Sequence, residues 1–255
     1  MVNVLVCVKR VPDSSSQIVL TPDQQAVDGR HAGFTVSPHE ECAIELGVRL
    51  ADATGGLATV LTLGPAESVE QLRSALAVGC GAAVHIEADG VAFGPADVAR
   101  EIAAIVQAHT DAGRDYDVVL LGNDASDTGD FQVGIRLAYA LGLPVVNGVS
   151  TLEVADGIVS AHVDGPDGPE TYSVPTPMVA TILEGGIEPR YPTLKGRMAA
   201  KKVEIEHRTP SADPIGSSRV QLKLPPPAPS SVEILGEGPD AAAAVVDLFE
   251  KLGVR

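Results

Sequence analysis

Aromatic side chains are nearly missing from this sequence of 255 residues: Phe, Trp and Tyr make up 3%, and there is no Trp. The core must be filled by Ala, Val, Leu and Gly instead. Positive charge is also scarce. Only 18 Lys and Arg oppose 34 Asp and Glu, for a formal net charge of −16. Such a surface repels nucleic acid and anionic lipid, so neither is an expected partner. No apolar run reaches the roughly 18 residues that a membrane-spanning helix requires. The N-terminal MVNVLVCVKRVPD has no cationic segment before its apolar run and no small-residue cleavage site. It is expected to be a strand rather than a secretory leader. Cysteine is limited to Cys7, Cys42 and Cys80, an odd number set far apart. With no CxxC and no Cys/His cluster, they are expected to be reduced, buried thiols of a cytoplasmic protein.

The missing motifs narrow the chemistry. There is no GxxxxGK[ST] phosphate loop, no Ser-Gly-Gly-x-Asp-Ser adenylation loop and no GxSxG elbow. Gly79-Cys80-Gly81 follows a helix and precedes a strand, the reverse of the order a dinucleotide fingerprint needs. The six histidines (His31, His39, His85, His109, His162 and His207) are scattered, and each is expected to be structural or solvated. No set of nucleophile, base and orienting group emerges, so catalysis by this chain alone is not expected.

What is present is a regular alternation. Val2–Val8 is an apolar run suited to a strand covered on both faces. Ser37-Pro38-His39-Glu40 has the form of a helix start, with a Ser cap, Pro in the first turn and Glu closing a capping box. The helix carries Cys42, Ile44, Leu46, Val48 and Leu50 on to Gly55. Strands at Leu57–Leu63, Ala83–Glu87 and Val118–Leu121 alternate with helices ending near Val78, spanning Pro95 to Ala108, and ending at Leu141. This pattern predicts an α/β fold with a parallel sheet and crossover helices. Val145–Val154, Ile158–Val163 and Glu170–Val174 predict a small antiparallel extension, and Met178–Leu183 a last core strand. From Glu184 the periodicity is lost, and Pro210, Pro214 and Pro225-Pro226-Pro227 suit no element interior. Residues 184–255 are therefore expected to form an arm that ends in an amphipathic helix, Pro239 to Leu252.

Two stretches carry functional signals. The loop Gly122-Asn123-Asp124-Ala125-Ser126-Asp127-Thr128-Gly129-Asp130-Phe131-Gln132-Val133-Gly134 leaves the carboxyl end of a parallel strand and enters a helix. Open α/β sheets bind ligands there, and glycines let backbone N–H groups converge on an anion. A capped polar turn is the alternative, and the three Asp suit ribose hydroxyls or solvent better than a phosphate. The second stretch is EPRYPTLKGRMAAKK, residues 188–202. With Arg208, a third of all Lys and Arg falls between residues 190 and 208 (Arg190, Lys195, Arg197, Lys201, Lys202 and Arg208), interleaved with Tyr191, Leu194 and Met198. An apolar tip rimmed by charge marks a partner site, although a solvated basic face is the simpler reading.

Val6-Cys7-Val8-Lys9-Arg10-Val11-Pro12-Asp13, Arg73-Ser74-Ala75-Leu76-Ala77-Val78-Gly79, the Gly122–Gly134 loop and Glu188-Pro189-Arg190-Tyr191-Pro192-Thr193-Leu194, followed by Met198 and Lys201-Lys202, resemble the electron transfer flavoprotein β subunit family. The matches run in order along nearly the whole chain. The resemblance implies a Rossmann-like, adenine-nucleotide-binding domain over 1–183, a recognition loop over 184–202, and an arm over 203–255 whose last helix packs on the partner subunit. It implies pairing with an α subunit that holds most of an FAD. Electrons would pass from flavoprotein dehydrogenases, such as acyl-CoA dehydrogenases, towards the respiratory chain, with no turnover by this chain alone. The β subunit would bury a structural AMP, or a second FAD in the electron-bifurcating relatives. By position, the nucleotide would touch Cys7, Ser37, Pro38, His39, Glu40, Leu63 and the loop Gly122 to Val133. Leu194 would be the docking anchor, with Arg190, Tyr191 and Met198 around it. Departures from the family's pattern are the longer turn Asp164–Glu170, Glu184-Gly185-Gly186-Ile187, Lys195-Gly196-Arg197, and polar Ser14 and His39 where rings are usual. They bear on partner choice and on the flavin's surroundings. A different class of protein, a stand-alone adenine-nucleotide-binding stress-type sensor, would share the α/β core but lack the arm.

Overall fold

The computed structural model describes residues 1–13, 15, 17–216, 221–226 and 232–254. Ser14 and Pro227, singled out above, lie outside the described residues. In chain order the elements are β1 (Val4–Cys7), β2 (Val11–Pro12), β3 (Phe34–Thr35), α1 (Pro38–Thr54), β4 (Ala58–Gly64), α2 (Val69–Val78), β5 (Ala82–Glu87), α3 (Pro95–Asp111), β6 (Val118–Gly122) and α4 (Val133–Leu141). There follow β7 (Val145–Ala155), β8 (Ile158–Gly165), β9 (Gly168–Pro175), β10 (Met178–Ile182), α5 (Leu194–Ala200), β11 (Ile205–Arg208) and α6 (Ala242–Leu252). The chain divides into two compact units, Met1–Leu222 and Lys223–Arg255, and α6 belongs to the second. No helix among the described residues is long and apolar enough to cross a membrane.

One sheet organises the first unit, in the order β11-β5-β4-β1-β6-β10-β7-β8-β9. Every neighbouring pair from β11 to β7 is parallel, and β7–β8 and β8–β9 are antiparallel. The antiparallel extension is therefore a continuation of the main sheet, because β7 pairs with β10 on one side and with β8 on the other. A separate two-stranded ribbon joins β2 and β3. The central strands are buried on both faces, as their unbroken apolar runs require: every residue of β1 and of β4 is buried. One face packs Val4, Val6, Val60 and Ala83 against α1 and α2; the other packs Leu5, Leu61, Val84 and Ile86 against α3 and α4.

The predicted capping box of α1 is present. Ser37 Oγ accepts the Glu40 N–H at 3.3 Å, and the Glu40 carboxylate accepts the Ser37 N–H at 2.9 Å. Pro38 opens the helix, and Gly55 closes it in the left-handed region at φ 69°. At Gly47 a Cβ would fall 2.6 Å from Val6 Cγ2, so glycine lets α1 lie close on β1.

The expectation of an aperiodic chain after Glu184 is corrected. The stretch contains α5, and β11 adds a parallel edge strand beside β5, with His207 opposite His85. An edge strand of four residues has too short a pattern to reveal itself, because its pairing is decided by a strand more than a hundred residues earlier.

Candidate nucleotide cleft and docking tip

The strand order reverses at β1: β4 and β5 lie to one side of it and β6 to the other. A crevice opens at the carboxyl ends of parallel strands at such a point. Here it has a volume of 340 Å³ and is lined by Cys7 of β1 and Val8 to Arg10 behind it, Leu61, Leu63 and Gly64 of β4 with Pro65 behind it, Leu121 and Gly122 on β6, the loop behind β6 and the start of α4. Phe34, Asp89 to Val91 and Phe93 also line it.

Glu40 supports the base of the cleft. Its carboxylate is buried, with Oε1 accepting the Lys9 N–H at 2.7 Å and Oε2 the Ser37 N–H. Burial pushes its pKa up to about 7, even though these N–H donors favour the ionised form. A Cβ at Gly122 would come within 2.9 Å of Glu40 Cγ, so the loop can begin this close to the carboxylate only with glycine there. Burial, and then the charge of Glu40, raise the Cys7 thiol far above its ordinary range. Burial also raises Cys42, and pushes Cys80 up to about 12. All three cysteines are free and buried, as inert structural thiols are.

The acidic loop is tied to its neighbours. Lys9 Nζ lies 2.7 Å from Asp127 Oδ1, which ties the end of β1 to the loop. His39 Nε2 lies 3.0 Å from Asp124 Oδ1, while its Nδ1 accepts the Glu184 N–H at 2.9 Å. Asn123 Oδ1 accepts from the Thr181 hydroxyl at 2.7 Å and the Gly148 N–H at 3.1 Å, which pins the loop to β10 and β7. Of the three Asp that made a phosphate unattractive in the sequence, Asp127 is thus paired with a cation, Lys9. The wall also holds a cation that the sequence reading overlooked. The Arg10 guanidinium sits 3.5 Å over the Phe34 ring, and its Nε is buried without a hydrogen-bond partner. Burial lowers its pKa, which Glu67 and Glu70 partly offset. The same cleft is lined by Val133, where α4 starts with no side-chain cap from Gln132. An orphaned cationic donor and an uncapped helix start both favour an anionic group in the cleft.

Of the predicted nucleotide contacts, Cys7, Glu40, Leu63, Gly122, Asn123, Asp124, Ala125, Asp127, Thr128, Asp130 and Val133 line the cleft. Ser37, Pro38 and His39 stand behind this lining, as the cap and first turn that carry Glu40. Ser126, Gly129, Phe131 and Gln132 are exposed on the outer side of the loop. Lys9, Arg10 and Phe34 were missed, although a Lys-Arg pair immediately after a buried central strand was a signal that cations stand at the crevice.

The basic stretch forms a tip. Arg190 is not free: its Nε and one terminal nitrogen lie 2.7 and 3.0 Å from the two oxygens of buried Glu45. Burial alone would raise the Glu45 pKa, but Arg190 and Arg49 bring it below the ordinary carboxylate value. Arg190 therefore fastens the segment to α1. Beyond it, Thr193 Oγ accepts the Gly196 N–H at 3.0 Å and caps α5, so Leu194 is the first residue of a helix rather than part of a loop. Met198, one turn later, shares its face. Tyr191, Leu194 and Met198 are 91%, 77% and 62% exposed. Behind them α5 sits against α2. A Cβ at Gly196 would lie 2.2 Å from the Ala77 carbonyl oxygen, and the Arg73 guanidinium donates to the carbonyls of Ala200 and Val203 at 2.5 and 2.6 Å. The apolar tip is held from below by backbone contact and ringed by exposed Lys195, Arg197, Lys201 and Lys202.

Residues 27–213 match the family model of the electron transfer flavoprotein domain. Among similar curated proteins, the electron transfer flavoprotein subunit beta of Bacillus subtilis (strain 168) is 34% identical over 204 residues, covering 80% of this chain and 77% of that protein. The same-named subunit of Syntrophomonas wolfei subsp. wolfei is 31% identical over 255 residues, covering 99% and 97%. That of Mycobacterium leprae is 31% identical over 261 residues, covering 96% and 97%.

Proposed function

Because the chain belongs to the electron transfer flavoprotein β subunit family, we propose that it pairs with an α subunit to form a soluble, cytoplasmic electron carrier. In that carrier the cleft buries an AMP and the α5 tip docks on flavoprotein dehydrogenases such as acyl-CoA dehydrogenases. Family membership sets aside the stand-alone sensor reading, since the family's carrier is a pair of subunits. An FAD held mainly by the α subunit supplies the redox chemistry, and this chain's residues bind, position and dock, without turnover of their own.

The observation that carries the AMP reading is the charge arrangement of the cleft. Arg10 and the start of α4 bring unmatched positive character to the same cleft, while Lys9 offsets Asp127. A monophosphate meets donors there, and Leu61, Leu63 and Phe93 offer apolar surface for a base. The volume of 340 Å³ lies at the small end of ligand pockets and suits AMP better than the much larger FAD. Asp130, which lines the same cleft, suits a ribose hydroxyl. The dehydrogenase reading rests on Leu194 and Met198, which share a helix face inside a cationic rim. A tip this small gives brief docking, and the cations speed encounter with acidic partners.

The test is nucleotide content. The purified two-subunit complex is denatured, and the released nucleotide is separated and counted. One AMP per complex is expected, and the Arg10→Leu complex should retain less than about a tenth of it, the loss of one charge-assisted contact being worth about 1.5–3 kcal/mol. Full AMP content in Arg10→Leu, or FAD in place of AMP, refutes the assignment.

A further inference from the structure

The edge pair β5–β11 holds a group of side chains that the proposed electron-carrier function does not use. Along β5, Val84 and Ile86 face α3 and α4, so His85 and Glu87 point to the opposite face with Ala83. In the parallel pairing, His207 of β11 stands directly opposite His85. The two imidazoles meet edge-on with centroids 5.5 Å apart. One ligand atom from each of His85, Glu87 and His207 lies within 4.8 Å of the others.

His85 supplies the deciding observation. It is fully buried, with Nε2 lying 3.0 Å from the Gly64 carbonyl oxygen. A carbonyl only accepts, so Nε2 carries the proton and Nδ1 presents a bare lone pair. That Nδ1 is buried and has no hydrogen-bond partner. A buried acceptor left unpaired is costly, and its ring lies beside two further donors of lone pairs, one imidazole and one carboxylate. An imidazole whose second nitrogen donates to a backbone carbonyl is also the arrangement that orients histidine ligands.

We propose that His85 Nδ1, His207 and Glu87 form a binding site for a divalent transition metal ion, with zinc the best-suited species. Two imidazoles and one carboxylate favour zinc over magnesium or calcium, which prefer all-oxygen shells. Three protein ligands leave a fourth position for water. His207 and Glu87 are exposed, so their side chains are free to turn towards an ion held at the buried His85. The ion clips β11 to β5 and so fastens the segment that follows the docking helix.

The experiment uses the full-length chain, stripped with chelator and titrated with zinc chloride by calorimetry at pH 7.5. One site is expected, with an affinity at least about tenfold weaker in His207→Ala. Thermal unfolding should rise with zinc in the parent and not in His207→Ala. Circular dichroism of this exposed-site variant separates loss of a ligand from loss of fold. A parent that takes up no zinc, or a His207→Ala variant that binds it equally, overturns the proposal.

Discussion

Replacing Glu40 with Gln should remove a pH dependence from the stability of the nucleotide-free chain. The native carboxyl keeps its proton up to about pH 7, against 4.5 as its ordinary value, because burial outweighs the N–H donors of Lys9 and Ser37. Between those two values the native state binds more protons than the unfolded chain does, so stability falls as pH rises. The favourable contribution is complete below pH 4.5 and is lost through pH 7. At 1.36 kcal/mol per tenfold change in proton affinity, this one group costs the parent about 2–3 kcal/mol between pH 5 and pH 8. Gln cannot ionise, so the variant lacks that slope. Urea unfolding at pH 5, 6, 7 and 8 gives the two stability curves. The variant's stability relative to the parent should grow by about 2–3 kcal/mol across the range. Parallel curves would show that Glu40 titrates normally and that the base of the cleft is hydrated, which refutes the reasoning.

Leu194→Ala should slow reduction of the two-subunit complex by an acyl-CoA dehydrogenase about tenfold or more, the value of burying one leucine side chain, with FAD content unchanged. Equal rates would remove Leu194 from the docking role. Gly196→Ala should lower the same rate while Leu194 is still present, because its methyl would collide with the Ala77 carbonyl and displace α5; thermal unfolding should report a loss of about 1–3 kcal/mol. Arg190→Ala leaves buried Glu45 with Arg49 alone and should cost about 1.5–3 kcal/mol in urea unfolding. A neutral result would mean that the Arg190 pair contributes nothing to holding the segment.

The parts of the fold set by local chemistry were legible in the sequence. Ser37, Pro38 and Glu40 announced α1 because a capping box is contained within four residues, and β1 announced itself through an unbroken apolar run. The loop after β6 was legible because its position at a strand end carries meaning of its own. What was hidden depends on partners distant in the chain. β11 has only four residues and takes its identity from pairing with β5. Arg190 looked like part of a docking surface because its partner, Glu45, lies on α1. Asp127 looked hostile to phosphate because its partner Lys9 lies more than a hundred residues earlier. Thr193, three residues before Gly196, was a local cap signal for α5 that went unused.

The central claim is that this chain is one subunit of a flavin carrier and holds an adenylate of its own. Native mass spectrometry of the chain co-expressed with an α subunit from the same organism tests it most directly. The predicted species is a complex of one copy of each subunit with one FAD and one AMP. A chain recovered free of the α subunit, or a complex carrying two FAD and no AMP, would contradict it.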